Sequence, residues 1–313
     1  PDNFRVSGNM DYYISEHHSI GIGGSFNGRN STRIVTNETI ISNDVSSNKL
    51  FSENSFDRER NNFNFNPYYE YKTDTDKLII DFNFVDFKDN TTNTLYGLEN
   101  STIPFTDRRY IQDGNYSIKT YRADYSKSFN DHLKLQFGTR YADVSTDNDL
   151  ASLLDNSGEF DLIQEESSRF LIKESIFALY SKMNITKGKW AFSGGLRYEN
   201  SNTDGTSIFI EDGAIKTEVK KRPIKKIFPS ASISRELSES LGASLSYSYR
   251  IQRPSYNSLN SFATFLDPFS AGAGNPNLTP SYTNNFQFNL TYDKQPFFTI
   301  GYSKTDDVIF ELI

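Results

Sequence analysis

Along most of this chain apolar and polar residues alternate one by one, the period of a strand with one face in an apolar medium and the other in water. From Phe4 to Ile14 the apolar face carries Val6, Gly8, Met10, Tyr12 and Ile14, with Ser7, Asn9, Asp11 and Tyr13 between them. A short turn at Ser15-Glu16-His17-His18 leads into Ile20, Ile22, Gly24 and Phe26. The same couple, strand, short turn, strand, then recurs down the chain. Phe63, Phe65, Tyr69 and Tyr71 are answered by Leu78, Ile80, Phe82 and Phe84. The stretch 116–127 is answered by Leu133, Leu135, Phe137 and Tyr141, and 170–183 by Trp190, Phe192, Gly194, Leu196 and Tyr198. The stretch 224–235 is answered by Leu241, Ala243, Leu245, Tyr247 and Tyr249, and Phe286, Phe288, Leu290 and Tyr292 by a strand beginning at Phe297. Between the couples lie polar stretches without period, 27–61, 88–115, 145–168 and 200–223, and a longer one at 252–283 that is rich in proline, glycine and aromatics. Their composition predicts long loops.

The pattern predicts about twelve strands of roughly ten residues, the length a tilted strand needs to cross a bilayer. Connectors alternate short and long, as in an antiparallel up-and-down transmembrane β-barrel with short periplasmic turns and long extracellular loops. Tyr12, Tyr71, Tyr141, Tyr198, Tyr249 and Tyr292 are expected near strand ends, where aromatic girdles sit. Pro67 stands against a strand at its position, because proline cannot donate to a ladder. A soluble sandwich has shorter strands and does not place long connections on every second link, and a propeller would repeat a glycine/aromatic motif per blade.

Composition changes this picture in a few places. The 313 residues contain no run of 18 apolar positions, so no transmembrane helix is available, and the mean hydropathy of −0.61 would suit a soluble protein. A strand barrel escapes that inference because half of every strand is polar. Cysteine is absent, which removes disulfides, thiolate metal sites and cysteine nucleophiles, and His numbers only 3. The net charge of −7 gives no support to nucleic-acid binding. Pro1-Asp2-Asn3 is no natural start, so residues 1–313 are expected to be a mature product or a barrel section of something longer.

No catalytic constellation emerges, and the chain reads as a non-enzyme without a cofactor. His17-His18 fall in a tight turn, Asp74 and Asp76 are turn formers, and Ser255 has no histidine partner. Gly21, Gly23 and Gly24 belong to a strand with no helix after it, unlike a phosphate loop. The basic run Lys220-Lys221-Arg222 with Lys225-Lys226 reads either as a contact for anionic lipopolysaccharide or as a solvated loop. The alternation puts Lys134, Gln136, Arg140, Arg197 and Glu199 opposite the apolar positions, towards a lumen.

One stretch is more specific. Tyr249-Arg250-Ile251-Gln252-Arg253-Pro254-Ser255-Tyr256, then Leu259-Asn260, then Gly274-Asn275-Pro276-Asn277-Leu278-Thr279-Pro280 resembles a signature of TonB-dependent outer-membrane receptors of the Bacteroidetes type. Gly195-Leu196-Arg197-Tyr198-Glu199 and Phe228-Pro229-Ser230-Ala231-Ser232 resemble further strands of that family, and together the matches span 190–292. The resemblance implies a receptor barrel that takes up a scarce, bulky nutrient such as a ferric siderophore, haem, glycan or peptide, driven through a plug domain by the TonB complex. Family members have a plug and about twenty-two strands; this chain shows no plug and about half that number, so a larger barrel is expected to lack its plug and C-terminal strands here. Residues common to receptors of differing ligands suit loop shape better than ligand choice, and Arg253 is expected to pair with a carboxylate or with backbone carbonyls. A passive porin or adhesin barrel and a secreted β-rich binding domain are the alternatives.

Overall fold

A computed structural model of the chain describes residues 2–42, 47–99, 103–267 and 270–310. Its strands are β1 (Asp2–Tyr13), β2 (His18–Ser42), β3 (Ser47–Lys72), β4 (Asp76–Glu99), β5 (Ile103–Asn130) and β6 (Leu133–Asn156). They continue as β7 (Glu159–Leu162), β8 (Ser168–Lys187), β9 (Trp190–Glu211), β10 (Ala214–Glu236) and β11 (Leu241–Gln252). Then come a one-turn helix α1 (Tyr256–Leu259), a small hairpin β12 (Thr264–Asp267) and β13 (Ser270–Gly272), and finally β14 (Ser281–Tyr292) and β15 (Gln295–Asp306). All but β12 and β13 form one 13-stranded antiparallel sheet, in which each long strand pairs with the next in sequence and β7 hangs on β6. This is the expected all-β, up-and-down architecture.

The ladder registers carry one face across the whole sheet. Met10 pairs with Ile22, Ile20 with Tyr69, Tyr69 with Ile80 and Ile80 with Ala123. Further on, Tyr121 pairs with Tyr141, Leu179 with Tyr198, Tyr198 with Ile227, Ile233 with Leu245, Leu245 with Phe288 and Phe288 with Ile300. Directly opposite residues point the same way, so these side chains form an apolar belt running from β1 to β15. Rings sit in sequence along it, with centroids 4.9 Å apart for Phe82–Tyr121, 6.2 Å for Tyr121–Tyr141 and 4.8 Å for Tyr247–Phe286. A monomer in water would not expose such a belt, whereas lipid covers it without cost.

Four of the predicted loops are corrected. The stretches 27–61, 88–115, 145–168 and 200–223 are chiefly paired strand: β2 and β3 stay in register out to Ser42–Ser47, and β9 and β10 out to Glu211–Ala214. The alternation fades there because both faces meet water or polar neighbours, and backbone hydrogen bonds hold a strand whatever its side chains. Tips of 43–46 and 100–102 lie outside the described residues. Asp212-Gly213 turns the β9–β10 hairpin with φ of 51° and 72°, and Ser157-Gly158 turns β6 into β7 with φ of 63° and 99°. Such left-handed pairs match the twist of the strands they join. Only 252–283 is mainly irregular.

The tyrosine positions are corrected in the same way. Tyr12, Tyr71 and Tyr292 do lie beside short turns. Tyr249 is also near a strand end, three residues before β11 stops at Gln252, whereas β6 and β9 continue far past Tyr141 and Tyr198; all three stand eight residues beyond the strand starts Leu241, Leu133 and Trp190. Eight residues at about 3.3 Å each, tilted by about 40°, rise roughly 20 Å, close to the height of an outer-membrane belt. These tyrosines mark the upper rim of the belt, and the strands stand out of the membrane above it.

Pro67 is accommodated within β3. It pairs with Ile22 on one side, while towards β4 the ladder runs from Phe65–Phe84 to Tyr68–Asp81 without a pair at Pro67. The Asn66 side-chain amide donates to the Phe82 carbonyl at 2.7 Å, replacing the N–H that proline lacks.

The basic run lies on β10. That strand pairs with β9 over its whole upper length but with β11 only from Ser230 to Glu236, so 214–229 is unpaired on that side, and its part from Lys226 up to Ala214 is a free edge above the membrane. Lys216, Lys220, Lys221, Lys225 and Pro223 lie along it, residues that keep a free edge from recruiting another strand.

Candidate functional site

The described part of the stretch 253–280 folds back against the inner face of the upper strands. Pro254 cannot continue the β11 ladder, and Ser255 instead caps α1, its Oγ accepting from the Ser258 N–H at 3.0 Å. The segment Gly274-Asn275 then lies on the end of α1, with the Gly274 N–H donating to the Asn260 carbonyl and the Asn275 N–H to the Ser258 carbonyl, both at 2.8 Å. A Cβ at Gly274 would stand 2.4 Å from the Asn260 carbonyl oxygen and 2.6 Å from those of Asn257 and Ser258, so only glycine fits. Asn275 Oδ1 accepts from the Asn277 N–H at 2.8 Å, and the Leu278 N–H donates to the Asn275 carbonyl at 3.2 Å. The two halves of the motif are thus the two sides of one knot.

The knot docks on the inner wall made by β8, β9 and β10. Leu259 and Phe262 are buried against Phe170 and Ile172, with Tyr256 and Leu278 packed around them. Beside this apolar patch Arg253 reaches two buried carboxylates: it pairs with Glu199, lies 3.6 Å from Glu174, and donates to Ser201 Oγ at 3.1 Å. Glu174 also accepts from Thr203 Oγ1 and from the Tyr256 hydroxyl, each at 2.7 Å, and Glu199 accepts from Arg197 Nη2 at 2.9 Å. Side chains of Glu174 and Glu199 are only 4% and 3% exposed, so both carboxylates depend on these partners. Burial foremost, then the charge of Glu174, pushes the Tyr256 hydroxyl well above the ordinary tyrosine range. On β10, Arg222 donates to the Pro276 carbonyl.

Arg253, Ser255, Tyr256, Asn260, Gly274, Asn275, Pro276 and Leu278 therefore meet in one assembly, and Pro254 and Pro280 bound it. Arg250 stays outside, exposed in the ladder opposite Thr283. Of the residues expected to face a lumen, Arg197 and Glu199 belong to the docking wall. Lys134, Gln136 and Arg140 occupy the same polar face of β6, nearer the short turns and away from the knot. Glu174, Ser201 and Thr203 were not singled out from the sequence, and Arg222, read there as part of a basic run for lipopolysaccharide or solvent, turns instead to the knot. The signal was there for Glu174, a carboxylate in phase with Phe170, Ile172 and Ala178 along one strand face.

The far side of the knot bounds a cavity of about 810 Å³ against β3, β4 and β5. Arg58 crosses its wall to Asp89, with Nε to Oδ1 at 2.6 Å, and Tyr116 donates to Asn148 Oδ1 at 2.8 Å. Gln112, Thr91, Asn257 and Phe262 also line it, with further knot residues and, from beyond β15, Ile309 and Phe310. All lie above the belt, so the cavity opens on the external side. Among the described residues no group of His, Asp or Glu side chains is placed to hold a metal ion.

A lipid-facing belt around an antiparallel sheet, with long strands rising above it, defines a protein of the outer-membrane barrel class. The family model of the outer membrane protein beta-barrel family matches residues 69–313, and the chain belongs to that family, in the bacterial outer membrane. The fold is similar to that of the ferric yersiniabactin uptake receptor FyuA from Yersinia pestis, with a TM-score of 0.59 at 10% identity over 98% of this chain. It is also similar to the siderophore receptor PiuA from Acinetobacter baumannii, with a TM-score of 0.53 at 10% identity over 96% of this chain. The chain spans 53% and 61% of those two proteins. No curated protein sequence matches it.

Proposed function

We propose that this chain is the greater part of the barrel of a TonB-dependent receptor that imports a scarce, bulky nutrient. The observation that carries the reading is the knot within 253–280: a motif resembling that of the receptors, folded onto the inner wall above the membrane, where it bounds a cavity. The receptor fold of FyuA and PiuA supports it.

The sheet's ends bear on the rest of the protein. Among the described residues β1 and β15 are each paired on one side only, and their unpaired backbone groups lie at belt height. An open edge in hydrocarbon leaves several kcal/mol of hydrogen bonding unmet per group. The proposal therefore includes further strands that close the barrel between β15 and β1, and a plug below the knot that engages the TonB complex.

Uptake by cells carrying the full-length gene, with and without a functional TonB complex, is the test. Import that stops without the complex is expected. Import that continues unchanged would make the protein a passive pore. Compact, monomeric behaviour without detergent would remove the membrane reading altogether.

A further inference from the structure

The cavity between the knot and the β3–β5 wall has a lining of unusual balance. Its charged members, Arg58 and Asp89, form a two-point ion pair and cancel each other, with Arg60 a further 3.5 Å contact to the same carboxylate from outside the lining. The remaining polar members are amides and hydroxyls. The side-chain amides of Gln112 and Asn257 have no hydrogen-bond partner among the described residues, so each keeps a donor and an acceptor for a guest. Tyr116 and Phe262 add ring surface. On the opposite wall Arg253 is already consumed by Glu174 and Glu199 and is turned away from this space.

An anionic chelate would require uncompensated cations, and a cationic guest an unpaired carboxylate; burying either against a neutral wall costs several kcal/mol. A guest whose hydroxyls each donate and accept, in adjacent pairs, with apolar C–H faces between them, meets what the wall offers. Planar side chains holding a donor beside an acceptor match two neighbouring hydroxyls at once, and ring faces take the C–H surfaces. About 810 Å³ falls in the upper part of the range of roughly 300–1000 Å³ usual for small-molecule sites, enough for a short oligomer. From this we infer that the cavity is the ligand site and that its ligand is a neutral oligosaccharide, bound through Gln112, Asn257 and the Arg58–Asp89 pair. The inference rests on the receptor reading above and adds the substrate class to it.

Calorimetry on the detergent-solubilised full-length protein decides it, with a panel of neutral gluco-, manno-, galacto- and chito-oligosaccharides on one arm and ferric citrate and a ferric catecholate on the other. Saturable binding of a neutral oligosaccharide is expected, unchanged when salt is raised to about 0.5 M, since no charge is being screened. Gln112→Ala and Asn257→Ala are each expected to weaken that binding about tenfold. Folding of both variants is checked by resistance of the 253–280 knot to protease. Binding of a ferric chelate, no binding across the panel, or oligosaccharide binding that neither variant weakens overturns the inference. A bound ferric chelate with TonB-dependent uptake would leave the receptor reading standing. A bound oligosaccharide with uptake indifferent to TonB would remove the receptor reading and keep the site.

Discussion

The two inner walls above the membrane have the same antiparallel ladder geometry, yet they use their polar side chains differently. On the β8–β10 wall, Glu174, Glu199, Ser201 and Thr203 are buried and committed to Arg253, Tyr256 and one another. On the β3–β5 wall, Gln112 and Thr91 face an open cavity. A polar group that has been dried out must be fully partnered, so the first wall is fixed in shape. A polar group left wet can exchange water for a guest. The knot between them converts one kind of wall into the other.

Breaking the fixed wall should have the largest effect. Arg253→Ala leaves Glu174 buried without a cation, a cost of about 3–5 kcal/mol, felt as release of the knot. Hydrogen exchange and protease cleavage between 253 and 280 should rise sharply while the belt strands stay protected; an unchanged knot would mean that the apolar patch alone holds it. Gly274→Ala pushes a methyl into three backbone carbonyls and should cost about 1–3 kcal/mol, with the same cleavage pattern but weaker.

Tyr256→Phe should cost about 1 kcal/mol at neutral pH, since Glu174 keeps Thr203 and Arg253. Its pH signature is sharper. The folded knot holds the Tyr256 proton more tightly than an unfolded chain does, so its contribution is complete below the ordinary value of 10.0 and declines as pH rises beyond it. Knot protection in the native protein should therefore fall at alkaline pH, and that component should vanish in the phenylalanine variant. At the small end, Gln112→Ala on the open wall should shift stability by no more than about 0.5 kcal/mol, because nothing in the fold leans on it. A large loss there would show the two walls to be alike.

How far the sequence spoke differs by height. At the belt, lipid writes a strict period into every strand, and the strands, their pairing and their facing were legible from residues such as Met10, Ile22, Tyr69 and Ile80. Above the belt that period is gone, and paired hairpins read as loops. Asp212-Gly213 and Ser157-Gly158 were the residual signs, tight-turn pairs in the middle of supposed loops. The motif residues in 253–280 were visible as a motif. Their carboxylate partners were not, because Glu174 and Arg253 are brought together only by the fold, across nearly eighty positions of chain and three strands of sheet. Register makes such contacts, and no local pattern announces them.

The hairpins that stand above the belt have a mechanical consequence. From Gly28 to Ser42 the β2–β3 pair is an unbroken ladder, some 45 Å along the strand at about 3.3 Å per residue. A double-stranded ribbon of that length, braced by its neighbours, behaves as a stiff cantilever. A load applied at its tip is delivered to the barrel rim with little lost in bending. Whatever first meets this protein from outside, a nutrient, an antibody or a phage fibre, meets a rigid collar that leads to the rim.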